Sequence, residues 1–221
     1  MKILFSPSEA KKRGGEAKTI KSDSFIFPEL FEKRFEIVKY YNDFINKASN
    51  KELIKLFGTK KQEVVDYYKG DLFSKEVMKI VQRYNGVAFD YLSYDKLDNK
   101  SQSYIDQNVM IFSNLFGPIL AGDIGIPDYK LKQGKKINGL ALEKFYNEYF
   151  TDAINKYLEN EDIIDLRAGF YKKFYKINKP YTTMKFIKNG KVVSHWAKAY
   201  RGIVLRELAI NNVETMADFK D

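Results

Sequence analysis

Met1-Lys2-Ile3-Leu4-Phe5-Ser6-Pro7-Ser8 opens the chain, and its reading sets the kind of fold to expect. Lys2–Phe5 is a short apolar run broken by Pro7, the pattern of a buried strand that empties into a loop. Two more runs of this kind, Val109–Phe112 and Ile163–Leu166, lie far along the chain, with helical patterns between them. Pro28 opens a helix to about Lys47, placing Phe31, Phe35, Val38 and Ile45 roughly on one face. Glu52–Phe57 and Gln62–Tyr68 are short helical patterns joined at Gly58-Thr59, loosely resembling a helix-hairpin-helix, with an ordinary helix corner as the plainer reading. Ser101–Asn108 and Leu140–Leu158 also read as helices, Ala168–Tyr175 as a helical turn, and a last helix runs to about Ile210. Thr183–Ile187 and Val192–Trp196 flank Lys188-Asn189-Gly190-Lys191, whose Asn-Gly pair supplies the positive φ angles of a type I′ hairpin turn. Residues 8–24 read as a long polar loop and Leu115–Asp128, rich in Gly and Pro, as an irregular one. With no repeat and no linker-like composition, the expectation is an α+β fold: one domain over residues 1–221, a mixed sheet core wrapped by helices.

Composition narrows the chemistry. The 221 residues suffice for a real core, and 44% hydrophobic with 30% charged residues excludes a disordered chain. A net charge of +9 with a pI near 9.3 favours nucleic acid, anionic metabolites or acidic surfaces as partners. Cysteine is absent and histidine occurs once, which removes disulfides, thiol catalysis, Cys-based zinc sites and multi-histidine metal sites. Neither a metal nor a cofactor is expected. The first apolar stretch is too short for a signal peptide, and no run approaches the roughly 18 apolar residues of a membrane span. The expected compartment is the cytoplasm, with no membrane partner.

Four blocks carry polar chemistry. Val192–Arg206 holds the single histidine, His195, the single tryptophan, and then Lys198, Arg201 and Arg206 at helical spacings. At about 100° per residue, Lys198 lies roughly 60° from Arg201 and 80° from Arg206. Gly202 falls between Lys198 and Arg206, and a mid-helix glycine costs about 1 kcal/mol relative to alanine, so close approach of a backbone or a ligand is expected there. Three cations around a bare glycine read either as an anion seat or as a solvated face with a packing glycine. Ser6-Pro7-Ser8-Glu9-Ala10-Lys11 follows the first strand and leads to Arg13-Gly14-Gly15, offering N–H groups and cations to an anion; the spacing of an ATPase phosphate loop is missing. Arg83-Tyr84-Asn85-Gly86-Val87 sets a glycine after a basic-aromatic pair, and Asp165 and Arg167 leave a buried strand near Gly169; each reads either as part of a site or as a structural turn with an ion pair.

In combination these blocks resemble the YaaA family, bacterial peroxide stress proteins long catalogued as a family of unknown function. Pro7-Ser8-Glu9-Ala10-Lys11 is similar to the family's Pro-Ser-Glu-Gly-Lys loop. Arg83–Val87, Leu115-Phe116-Gly117 through Asp128-Tyr129-Lys130-Leu131, Ile164–Tyr171, and Val193-Ser194-His195 through Arg206 complete the resemblance over essentially the whole chain. The departures are Ala10 for a common glycine, Lys130 for a common arginine, and the wording of residues 117–123. The resemblance implies a cytoplasmic protein that limits damage when hydrogen peroxide meets intracellular iron. It also implies binding of double-stranded DNA through a positive cleft, on an unusual α+β fold containing a helix-hairpin-helix, which would fall at residues 52–68.

Two functional expectations follow. In the first, Ser6, Ser8, Lys11, Arg83, Lys130, Arg167, Lys198, Arg201, Gly202 and Arg206 contact double-stranded DNA, mainly through its backbone and with weak sequence preference. In the second, the same residues hold a small phosphate- or carboxylate-bearing molecule in a polar pocket. Glu9, Asp165 and His195 are then the candidates for acid–base work, which backbone-only DNA binding has little use for. The sequence leaves open whether the chain is an enzyme.

Overall fold

The protein is described by a computed structural model over residues 1–17, 20–188, 191–192 and 196–218. The strands are β1 (Lys2–Phe5), β2 (Ala10–Lys11), β3 (Val77–Lys79), β4 (Tyr84–Asn85), β5 (Val109–Ser113), β6 (Gly117–Leu120), β7 (Ile124–Pro127), β8 (Ile163–Asp165), β9 (Thr182–Thr183), β10 (Ile187–Lys188) and β11 (Lys191–Val192). The helices are α1 (Phe31–Lys47), α2 (Asn50–Phe57), α3 (Gln62–Tyr68), α4 (Ile80–Arg83), α5 (Val87–Leu92), α6 (Asn99–Asn108), α7 (Leu142–Tyr157) and α8 (Ala197–Ile210). Together they form an α+β fold built on a mixed sheet.

That sheet has the order β6-β5-β1-β8-β9. β1 runs parallel to both β5 and β8, with Leu4 opposite Met110 on one side and Asp165 on the other. β5 and β8 are buried along their whole length, as expected of strands covered on both faces. This is why the three apolar runs read as continuous rather than alternating. β5 turns back into β6 as an antiparallel hairpin.

The reading of 115–128 as irregular needs correction, because it contains both β6 and β7. Pro118 lacks a backbone donor, but β6 is an edge strand and accommodates it. Residues 8–24 are likewise not free of structure. β2 pairs with β4, and Glu16 bridges Val77 beside the antiparallel β3–β7 pair.

Local chemistry sets the ends of α2 and the start of α6, where Asp98 accepts from the Ser101 N–H. Ser49 caps α2 in a reciprocal box with Glu52, and Gly58 closes it in the left-handed conformation. The α2–α3 junction is a helix corner: the space over Gly58 is taken by the aliphatic chain of Lys132, whose N–H donates to the Leu56 carbonyl. A proline-led 3-10 turn at Pro28–Leu30 precedes α1. α1 buries Val38 and Ile45 as expected, but also Arg34, whose guanidinium donates to the carbonyls of Ile26, Phe116 and Pro118. Of the expected hairpin, Ile187–Lys188 and Lys191–Val192 pair antiparallel, whereas Thr183 belongs to β9 and pairs parallel with β8; residues 189, 190 and 193–195 lie outside the described residues. No helix among the described residues is long and apolar enough to cross a membrane.

Candidate functional site

β1 is the pivot of the sheet. The next strand of this sheet in chain order, β5, lies on one side of it, while β8 lies on the other side and is followed by β9 farther out. Loops that depart in opposite directions from neighbouring parallel strands leave a crevice at the strands' carboxyl ends, the usual ligand position in such sheets. Here that crevice is a cleft of about 380 Å³, lined by the 6–10 loop after β1, by Ala168 and Tyr171 after β8, by the start of α5, and by Lys198 and Arg201 of α8. The Ser6 Oγ accepts from the Ala168 N–H at 2.7 Å and ties the two strand exits together.

The 6–10 loop is held in shape by contacts far apart in sequence. Glu9 Oε1 accepts from the Gln133 N–H at 3.0 Å, and Ser8 Oγ accepts from the Ala10 N–H at 3.3 Å. Ser8 lies against Gly86, where a Cβ would sit 2.7 Å from its Oγ; Gly86 also has φ +129°, a conformation that suits glycine. α8 crosses α5 at Gly202, where any Cβ would run into the Ala88 carbonyl. That crossing places Lys198 and Arg201 at the cleft. Arg201 is partly buried, and this burial lowers its pKa against the attraction of Asp165. Neither Lys198 nor Arg201 has a hydrogen bond or a carboxylate within salt-bridge distance among the described residues.

Behind the cleft lies a polar, aromatic layer. Lys11 turns its ammonium inward, 3.9 Å from the centre of the Tyr129 ring and 5.4 Å from that of Tyr84, and donates to the Glu9 carbonyl at 3.3 Å. Burial brings its pKa down to about 7, with Asp128 pulling the other way. Ser113 and Tyr129 share a hydrogen bond of 2.8 Å. The buried Tyr84 hydroxyl sits beside them without a well-formed bond, and the buried Asn114 Oδ1 also lacks a partner. Tyr171 meets Asn114 and stands between this layer and the cleft.

Of the residues expected at a site, the cleft unites Ser6, Ser8, Glu9, Lys198 and Arg201, with Lys11 next to it. The others are used elsewhere. Arg83 is fully buried and donates to the carbonyls of Ile126, Lys12 and Glu76, so it clasps loops and offers nothing to a ligand. Arg167 and Asp165 form a buried pair at 2.8 Å, with Arg167 also donating to the Tyr175 carbonyl and Asp165 facing Lys172 at 3.4 Å. Both are therefore structural supports of the β8 exit, and Asp165 as an acid–base group is corrected accordingly. Arg206 donates to the carbonyls of Leu92 and Ser93 and caps the end of α5. Gly202 is the packing glycine of the two readings, because the Ala88 backbone occupies the space a ligand would need. Lys130 points toward the Tyr68 ring, 5.8 Å from its centre, away from the cleft lining. His195 lies outside the described residues. Among the described residues no group of three or more His, Asp or Glu side chains could hold a metal.

Sequence reasoning missed Gln133, which contributes a backbone N–H and leaves no signature. It also missed the aromatic surroundings of Lys11, since a tyrosine-rich composition does not say which rings meet which cation.

The model of the family described as peroxide stress protein YaaA matches residues 1–221. The chain belongs to this family. An uncharacterized protein of Campylobacter jejuni is 52% identical over 214 residues, covering 97% of this chain and 87% of the relative. A UPF0246 protein of Corynebacterium efficiens is 32% identical over 219 residues, covering 95% and 85%, and one of Lactobacillus helveticus is 24% identical over 235 residues, covering 100% and 88%. Family membership attaches the chain to peroxide stress, and the cleft gives that attachment a location to test.

Proposed function

We propose that this member of the peroxide stress family binds a small phosphate- or carboxylate-bearing molecule in the cleft between the 6–10 loop and α8. The observation that carries the proposal is Arg201: a partly buried guanidinium at the same cleft as Lys198, with no hydrogen bond and no carboxylate in salt-bridge contact among the described residues. Partly burying a cation without a partner costs free energy, and an anionic ligand offsets that cost. The volume of the cleft suits a small molecule. Calorimetric titration at low salt with inorganic phosphate, pyrophosphate and citrate tests the reading. Arg201→Ala should weaken binding about tenfold or more, equivalent to about 1.4 kcal/mol, while the melting temperature stays near that of the parent. Lys47→Ala, on the last turn of α1, should change nothing. No binding by the parent protein, or equal losses in both variants, would overturn it.

Binding of double-stranded DNA, shielding it from iron-driven peroxide damage, is the second reading. It is favoured by the net charge of +9. In this reading the cleft cations meet the phosphate backbone, and affinity falls steeply with salt. A duplex that competes with pyrophosphate for the protein and loses affinity with Arg201→Ala would favour this reading.

A further inference from the structure

We propose that the ligand of the cleft is a nucleoside monophosphate, with its heterocycle on the inner aromatic wall, its sugar hydroxyls at the 6–10 loop and its phosphate at Lys198 and Arg201. This rests on the anion-binding reading above and adds what the rest of the molecule must be.

The inner wall is aromatic. Phe5, Phe89 and Tyr171 line it, all three buried, with Phe5 and Phe89 edge to face at 5.7 Å. Inorganic phosphate or a short dicarboxylate would gain nothing from such a surface, whereas a flat organic ring gains burial of its own apolar surface.

The 6–10 loop brings short hydroxyls and one carboxylate to the cleft, from Ser6, Ser8 and Glu9. Glu9 is anchored through Oε1 to the Gln133 N–H, and its Oε2 accepts nothing from the described residues. A carboxylate repels a phosphate, so the phosphate must sit on the α8 side, while Glu9 takes hydroxyl donors. Vicinal hydroxyls of a ribose satisfy a carboxylate in that position, and they separate a heterocycle from a phosphate along one ligand. The three zones therefore match a nucleotide in order: ring, diol, phosphate.

The test is calorimetric titration of the full chain with AMP, GMP, CMP, UMP, ribose 5-phosphate and inorganic phosphate. At least one nucleotide should bind about tenfold or more tightly than ribose 5-phosphate. Glu9→Gln keeps the acceptor for Gln133 but loses the charge. It should weaken the preferred ribonucleotide about tenfold, without weakening its 2′,3′-dideoxy counterpart, if Glu9 reads the diol. Ala168→Phe puts a bulky ring beside Tyr171 in the cleft lining and should abolish nucleotide binding while sparing phosphate; its melting curve separates blockage from misfolding. If ribose 5-phosphate binds as tightly as every nucleotide, the nucleotide proposal falls and the anion site stands. If no phosphate-bearing probe binds, both fall. Nucleotide binding that neither variant alters would place the ligand elsewhere and would also overturn the proposal.

Discussion

Replacing Lys11 with methionine should stabilise the protein at neutral and acidic pH, by an amount that fades as the solution becomes alkaline. Lys11 carries its ammonium against Tyr129 and Tyr84, with no carboxylate in salt-bridge contact, and burial lowers its pKa from 10.5 to about 7. At about 1.4 kcal/mol per pH unit that gap corresponds to about 5 kcal/mol. The residue keeps part of its surface in contact with water, and screening reduces the expected effect to about 2–3 kcal/mol. The sign follows from proton counting. Below pH 7 the amine is charged in both folded and unfolded chains, and the cost of burying it is felt in full. Between pH 7 and 10.5 the unfolded chain holds a proton that the folded one has released, so stability rises with pH. Lys11→Met removes this dependence and leaves a flexible apolar side chain between the same rings. Urea denaturation of both proteins at pH 6, 7, 8 and 9 measures it, because the difference between them cancels every other titrating group. The gap should be largest at pH 6 and close progressively toward pH 9. Parallel pH profiles, or a variant less stable than the parent at pH 6, would refute the reasoning.

Three further outcomes are expected. Gly202→Ala should lower the melting temperature by several degrees, since its new methyl meets the Ala88 carbonyl at the α5–α8 crossing; differential scanning calorimetry showing no change would contradict that packing. Arg83→Met should cost about 3 kcal/mol or more in chemical denaturation, because the carbonyls of Ile126, Lys12 and Glu76 lose their donor together. If duplex DNA is bound, fluorescence anisotropy should show affinity falling by about 0.9 log units per neutralised phosphate for each decade of salt, and a flat series would exclude the DNA reading.

Local signals in the chain were enough for most of the elements. The turn at Gly58 and the proline-led entry to α1 act within a few residues and could be read directly, whereas the Ser49–Glu52 capping box starts α2 two residues before the expected Glu52. The apolar runs of β1, β5 and β8 lack alternation because helices and loops cover both faces of the sheet, and that pattern is also local. β6 and β7 were hidden because glycine and proline signal a loop unless the strand lies where no donor is needed, and edge position is a property of the assembled sheet.

The candidate site was half legible for the same reason. Residue types and spacing singled out Ser6, Ser8, Glu9, Lys198 and Arg201, but Arg83, Arg167 and Arg206 carried the same sequence signal. A cation's role depends on whether a carbonyl or carboxylate of its own protein reaches it first. For Arg83 and Arg206 those acceptors come from segments remote in sequence, such as Ile126 and Leu92, and only the folded chain supplies them. The cleft is likewise a product of tertiary structure. It exists because β1 and β8 lie side by side where the strand order reverses, and because hydrogen bonds between Ser6 and Ala168 and between Glu9 and Gln133 join segments more than a hundred residues apart. The sequence by itself determined the elements and the chemistry available to them; the pairing of distant strands decided which of those groups meet around one empty space.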